Sequence, residues 1–94
     1  MSAKRPYIIL DQRDNVATAI LDLKAGEEFQ TQNGGIVLTQ AIPYGHKFAL
    51  QSIRKGDSVI KYGAQIGRAT AAISKGEHVH VHNVEDIVDL VRKK

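Results

Sequence analysis

Apolar residues in this chain come in short bursts, and glycine or proline interrupts them at intervals of about ten residues. That rhythm predicts short strands and turns over long helices. YIIL (7–10) and VATAIL (16–21) read as strands around the turn DQRDN, and IVLTQAI, KFAL, SVIKYG, GRATAAI and HVHVHN are further strand candidates. NGG at Asn33 to Gly35 marks a hairpin, because asparagine and glycine tolerate the positive φ that tight hairpin turns require.

A weak repeat runs through the same pattern. LKAGEEF (23–29), IPYGHKF (42–48), IRKGDSV (53–59) and ISKGEHV (73–79) each carry an apolar residue, two variable residues, a glycine, two polar positions and another apolar residue. The first apolar residue anchors a turn, glycine supplies a backbone angle that other residues resist, and the chain re-enters the core as a strand. Four such turns at unequal spacing predict a compact irregular β barrel or clip and exclude a solenoid. The C-terminus reads differently. In NVEDIVDLVRKK, Val84, Ile87, Val88 and Val91 fall on one helical face, Asn83 is a good N-cap, and the acids and bases suit the two helix ends. The predicted fold class is therefore mainly β with a short C-terminal helix, in one domain over residues 1–94.

Composition narrows the function classes. With 94 residues the core is small, and stability is marginal unless a partner completes it. There is no cysteine, which removes disulfides, thiolate zinc sites and cysteine nucleophiles and fits a reducing compartment. The N-terminal apolar run is too short for a signal peptide or a membrane span, so a cytoplasmic location is expected. Absence of tryptophan and scarcity of other aromatics argue against a base-stacking platform, and no nucleic-acid or membrane partner is expected. Between Gln30 and Gly76 lie six lysines and arginines and only one acid, Asp57. A basic middle favours an anionic ligand or an acidic partner, or is a solvated surface.

The chemistry-bearing stretch is KGEHVHVHN. On a strand, His78, His80 and His82 share one face, with Val79 and Val81 opposite. Same-face neighbours lie about 6.5–7 Å apart, so two imidazoles converge on a metal more readily than three. Neutral imidazole suits Zn, Fe(II) or Mn, and histidines also transfer protons near neutrality. The alternative is a solvent-facing polar strand face. His46 and Lys47 occupy the place in their repeat unit that Glu77 and His78 occupy in the last one, which would present His46 beside the histidine strand. Lys61 either holds a substrate carboxylate or is simply exposed. No serine triad, phosphate loop, dinucleotide fingerprint or EF-hand is present, so the chain does not read as a self-sufficient enzyme.

In that order and spacing, AIPYGHKFAL, GDSVIKYGAQIGRAT and ISKGEHVHVHN resemble the N-terminal SAF-type domain of the altronate and galactarate dehydratase family. The same kind of domain forms the small subunit of (2R)-sulfolactate sulfo-lyase. The resemblance is strong over Ala41 to Asn83 and loose on the flanks. It implies a SAF-type β-clip fold, and a lyase that eliminates water, or sulfite, from a 2-hydroxy acid. It implies a larger catalytic subunit or domain as partner, and a divalent metal: Fe(II) first, Mn or Zn as alternatives. On that reading the chain is a hydro-lyase component, inactive without its partner. His78 and His80 are then metal ligands, His46 and His82 catalytic proton carriers, and Lys47, Lys61 and Asn83 contacts to the anionic sugar acid. Three other readings stay open: the sulfolactate-cleaving small subunit, a non-catalytic carbohydrate- or partner-binding module, and an assembly domain that buries the helix face in a homo-oligomer.

Overall fold

The computed structural model describes residues 5–31 and 34–86. Among them, nine short strands run in chain order: β1 (Tyr7–Ile8), β2 (Val16–Ala19), β3 (Glu28–Thr31), β4 (Gly34–Val37), β5 (Lys47–Ala49), β6 (Ser58–Lys61), β7 (Ala64–Ala69), β8 (His78–Val79) and β9 (Val84–Asp86). They form a four-stranded sheet in the order β1-β2-β5-β8, a β3-β4 hairpin and a three-stranded β6-β7-β9 sheet, with antiparallel pairing throughout.

The alternation of side chains along a strand makes the four-stranded sheet a wall between two cores. Ala17, Ala19, Phe48 and Leu50 pack on one face with Ile36 and Leu38, while Val16, Ala49 and Val79 pack on the other with Val59 and Ala69. Tyr7 and Phe29 close the first core: Tyr7 meets Phe29 and Phe48 edge-on at 5.2 Å and 5.6 Å, and Phe29 stacks on Phe48 with centroids 6.2 Å apart. Neither core is large, and the shared sheet couples them.

The four repeat units are four copies of one turn. Their first apolar residues, Leu23, Ile42, Ile53 and Ile73, are buried and pair across the molecule as Leu23 with Ile42 and Ile53 with Ile73. Gly26, Gly45, Gly56 and Gly76 all have positive φ, between 82° and 91°, as the repeat requires. Each glycine N–H donates at 2.8–2.9 Å to a carbonyl of another segment, that of Leu38, Ala19, Ala69 or Ala49. The repeat is thus a device for crossing from one sheet to the next without leaving backbone groups unpaired.

Lys61 and Ala64 pair directly, so Tyr62 and Gly63 alone make the β6-β7 turn. Both have positive φ, 58° and 69°. For tyrosine this left-handed conformation costs about 1–2 kcal/mol. The turn is fastened from outside. Gly63 N donates to Asp14 Oδ1 at 2.7 Å, and the Asn15 amide bridges Ser58 O (2.9 Å) and Ile60 N (2.7 Å).

Two expectations change. The helix placed from Asn83 onward begins instead as a strand: Val84, Glu85 and Asp86 pair with Ala69, Arg68 and Gly67. The free edge of β7 offers a ladder, and Gly67 permits the approach, since a Cβ there would run into Val84 and the Glu85 carbonyl. The rest of that expected helix, residues 87–94, lies outside the described residues. The histidine strand is also shorter than HVHVHN suggests. It ends at Val79, and residues 80–83 form a turn closed by Asn83 N donating to His80 O at 3.1 Å. Val81, expected opposite the histidines on that strand, is 82% exposed.

Candidate metal centre

β5 begins where its antiparallel neighbour β8 ends, with Lys47 opposite Val79 and Phe48 opposite His78. The next residues outward are His46 on one side and His80 on the other. Strand register therefore carries His46 to the end of the histidine strand, as the repeat alignment anticipates. The His46 and His80 rings stack with centroids 4.2 Å apart, and His46 Nδ1 lies 2.9 Å from His78 Nε2, one nitrogen donating and the other accepting. One ligand nitrogen from each of His46, His78 and His80 falls within 4.8 Å of the others. Two nitrogens bound to one tetrahedral ion, each about 2.0–2.1 Å from it, sit roughly 3.3 Å apart. The three rings stand nearly parallel, with 10° to 23° between their planes, so they must tilt toward one another to reach that geometry, and a cation would take the place of the proton between His46 and His78.

A turn-level reason explains why a histidine is available at position 46. In the other three repeat units the residue after glycine is an acid that closes its own turn. Glu27 accepts from Lys24 N, Asp57 from Arg54 N at 3.3 Å and Glu77 from Ser74 N at 2.8 Å. The corresponding residue in the second unit is Pro43, which has no N–H to satisfy. Position 46 is thereby released from turn closure, and its imidazole faces His78 and His80. The sequence carries this signal, a proline three residues before the odd histidine.

The site's electrostatics favour neutral rings. Burial first, and then the charges of His46, His82, His80 and Lys47, push the pKa of His78 below the ordinary 6.5; burial, then His46, Lys47 and His82, push His80 down as well. Neutral imidazole is the form that binds a metal. Lys47 is half-buried at the start of β5, its pKa lowered by burial and then by the nearby charge of Lys61. It lines a pocket of about 160 Å³ with Ile66, Val79, His80, Val81, Val84 and Asp86. Lys61 lies over the ring of Tyr62, Nζ 4.5 Å from the centroid.

The remaining candidates stand as follows. His82 is exposed and tilted against His78, ring centroids 5.3 Å apart, outside the three-nitrogen group. Asn83 is buried, and its amide is committed to backbone: Oδ1 accepts from His80 N at 2.9 Å and Nδ2 donates to His78 O at 2.8 Å. It fixes the turn that sends His80 back over His46. Sequence reasoning missed Gln40, whose Oε1 accepts from His78 N at 3.2 Å. It missed Tyr62 too, although tyrosine before glycine at a two-residue turn, where asparagine or aspartate is usual, is a readable anomaly.

Comparison with known proteins places the domain in a family. Residues 5–87 match the model of the altronate/galactarate dehydratase SAF domain. The chain is 51% identical over 77 residues to altronate dehydratase from Escherichia coli, covering 82% of this chain and 16% of that protein. It is 41% identical over 75 residues to galactarate dehydratase (L-threo-forming) from the same organism, covering 78% of this chain and 14% of the other. It is 35% identical over 86 residues to (2R)-sulfolactate sulfo-lyase subunit alpha from Chromohalobacter salexigens, covering 84% of this chain and 92% of that subunit. The chain thus spans about one-sixth of the dehydratases it matches and nearly all of the sulfo-lyase subunit. By the match over residues 5–87, the chain belongs to the altronate/galactarate dehydratase SAF domain family.

Proposed function

We propose that this chain is the SAF component of a metal-dependent sugar-acid dehydratase of the altronate type. It would act with a larger catalytic subunit or domain to remove water from a 2-hydroxy aldonate and leave a 2-keto-3-deoxy acid. The observation that carries the reading is the convergence of His46, His78 and His80 at the open end of β5 and β8. Three imidazoles at an open strand end, beside a shallow pocket rather than in a deep cleft, make sense as one side of a site whose other side belongs to a partner.

Three imidazoles, of which His78 and His80 are pushed toward the neutral form, fit a divalent cation with open coordination positions, Fe(II) first and Mn or Zn as alternatives. Bound there, such a cation supplies positive charge against the carboxylate whose neighbouring C–H proton must be removed. The chain's own residues do the rest from this side. His78 and His80 hold the ion, and His46, expected as a proton carrier, joins them as a third ligand by its place in the same cluster; His82, exposed beside His78, carries a proton to the departing hydroxyl. Lys47 and Lys61 attract the acid's carboxylate, and Asn83 keeps the His80 turn in place. A β-clip fold and a single-domain organisation belong to the same reading.

The test is the double variant His78→Ala/His80→Ala, joined to the chain's large partner and compared with wild type for metal content and altronate dehydration. Loss of bound metal and a fall in turnover beyond about 100-fold, more than removal of an outer-shell partner costs, is the expected result. Unchanged metal content and turnover would overturn the reading. A second reading, the small subunit of a sulfolactate-cleaving lyase, draws on the likeness to an alpha subunit that the chain covers almost fully. Sulfite release from (2R)-sulfolactate, without altronate dehydration, selects it.

A further inference from the structure

The sheet edges are finished differently. β8 ends the four-stranded sheet on one side, and side chains meet both backbone groups that His78 turns outward: Gln40 Oε1 accepts from His78 N at 3.2 Å, and Asn83 Nδ2 donates to His78 O at 2.8 Å. At the β6 edge, Asn15 meets Ser58 O and both backbone groups of Ile60. Closures of this kind keep an edge from pairing with another chain. β1 ends the four-stranded sheet on the other side, and no side chain among the described residues closes it.

The alternation of an antiparallel ladder fixes which groups of β1 face out. Ile20 N donates to Pro6 O at 2.9 Å, and Ile8 lies opposite Thr18 in the next bonded pair. The N–H and C=O of Tyr7 and Ile9 therefore point away from β2. Pro6 lacks its N–H on the β2 side, so it does not interrupt the outward row. Side chains alternate as well. Tyr7 is buried and Ile9 packs against the first core, whereas Ile8 is 41% and Leu10 58% exposed. A shallow trough of about 270 Å³ lies along this edge, lined by Arg5, Ile9, Leu10, Asp11 and Gln12.

The segment RPYIILD, residues 5–11, is complementary to its own reverse. Set antiparallel about Ile8, Tyr7 faces Ile9 of a second copy, Ile8 faces its own counterpart, Pro6 faces Leu10 and Arg5 faces Asp11. Tyr7 and Ile9 then exchange their outward hydrogen bonds on both sides of the axis, apolar side chains meet at the centre, and opposite charges meet at each end. Asp11 already accepts from Arg13, twice through Oδ1 and once through Oδ2. A carboxylate has about four acceptor sites, so one remains on Oδ2 for the arginine of a second copy.

We propose that β1 is a dimerisation edge, pairing antiparallel with β1 of a second copy about a two-fold axis at Ile8. Pairing here goes beyond the lyase reading and does not depend on it. The joined sheet runs β8-β5-β2-β1-β1-β2-β5-β8 and places the two histidine clusters at its far ends, roughly 30 Å apart by strand spacing. Each cluster stays open to a larger partner. An edge this short gives a reversible dimer, not an obligate one.

Sedimentation equilibrium of the metal-free, full 94-residue chain, from about 10 µM to about 1 mM, is the direct test. A monomer–dimer equilibrium is expected, with the Tyr7 and Ile9 amides exchanging more slowly at the concentrated end. Ile8→Lys sets two ammonium groups against each other at the axis and should weaken the dimer about tenfold or more. Arg5→Glu sets two carboxylates against each other and should weaken it about five- to tenfold; it decides alone if Ile8→Lys does not fold. Val37→Lys, at an exposed valine on β4, should dimerise as wild type does. A monomer at every concentration, a dimer that survives both β1 variants, or one lost in Val37→Lys overturns the proposal.

Discussion

At the scale of single residues, the site depends on Asn83 as much as on the imidazoles. Its buried amide satisfies a part-buried N–H and a part-buried C=O of the histidine segment with one side chain. Asn83→Ala strands both groups, and an unsatisfied buried polar group costs about 1–3 kcal/mol. Denaturant unfolding should show a loss of about 2 kcal/mol or more. The Co(II) absorption of the same variant should weaken as well, because His80 is no longer turned back over His46. Pro43 works at the same scale in the opposite sense: by having nothing to donate, it leaves position 46 free for chemistry.

At the scale of elements, the four glycine turns are alike in φ and unlike in surroundings. A Cβ on Gly26 or Gly56 would meet no atom within 4 Å, whereas on Gly76 it would run into the Val37 carbonyl. Gly26→Ala and Gly56→Ala therefore report the left-handed backbone alone and should each cost about 1 kcal/mol. Gly76→Ala adds a collision with β4 and should cost about 3 kcal/mol or more in the same unfolding experiment. The hairpin of β3 and β4 would be displaced from the turn that precedes β8, and metal uptake should fall with stability.

At the scale of the molecule, the lowered groups set the response of folding to pH. His78 and His80 have folded pKa values below 6.5, so the unfolded chain binds more protons than the folded one once pH falls toward that value. The stability they confer is complete above 6.5 and is lost as pH falls through their folded values. Asp11 adds a second, more acidic window. The Arg13 side-chain and backbone hydrogen bonds hold its carboxyl down from 3.8 to about 2, and its contribution disappears as pH falls between those values. Melting temperature of the metal-free chain should decline in two steps on acidification. Replacing both histidines with glutamine should remove only the upper step, and Asp11→Asn only the lower.

How much of this is written in the sequence follows from what is local. The repeat of an apolar residue, a glycine and two polar residues fixes its own turn, because positive φ at glycine and burial of the preceding apolar side chain are decided within seven residues. The all-β class, the β3-β4 hairpin and the neighbourhood of His46 and the histidine stretch are legible for that reason. The family is legible too, since its most specific motif lies in the same segments. Strand limits and the choice between helix and strand at Asn83 are not local. Residues 84–86 carry a helical apolar pattern, yet β7 offers an unpaired edge and Gly67 a gap to fill, and inter-strand hydrogen bonds outweigh a weak helical preference. Likewise three alternate histidines suggest a flat row, and only the turn closed by Asn83, with the register of β5 against β8, folds that row into a cluster. Sequence alone determined which residues are candidates for chemistry and which turns bring the chain back. The tertiary structure decided which of them meet, because meeting depends on edges, register and free space that no single segment contains.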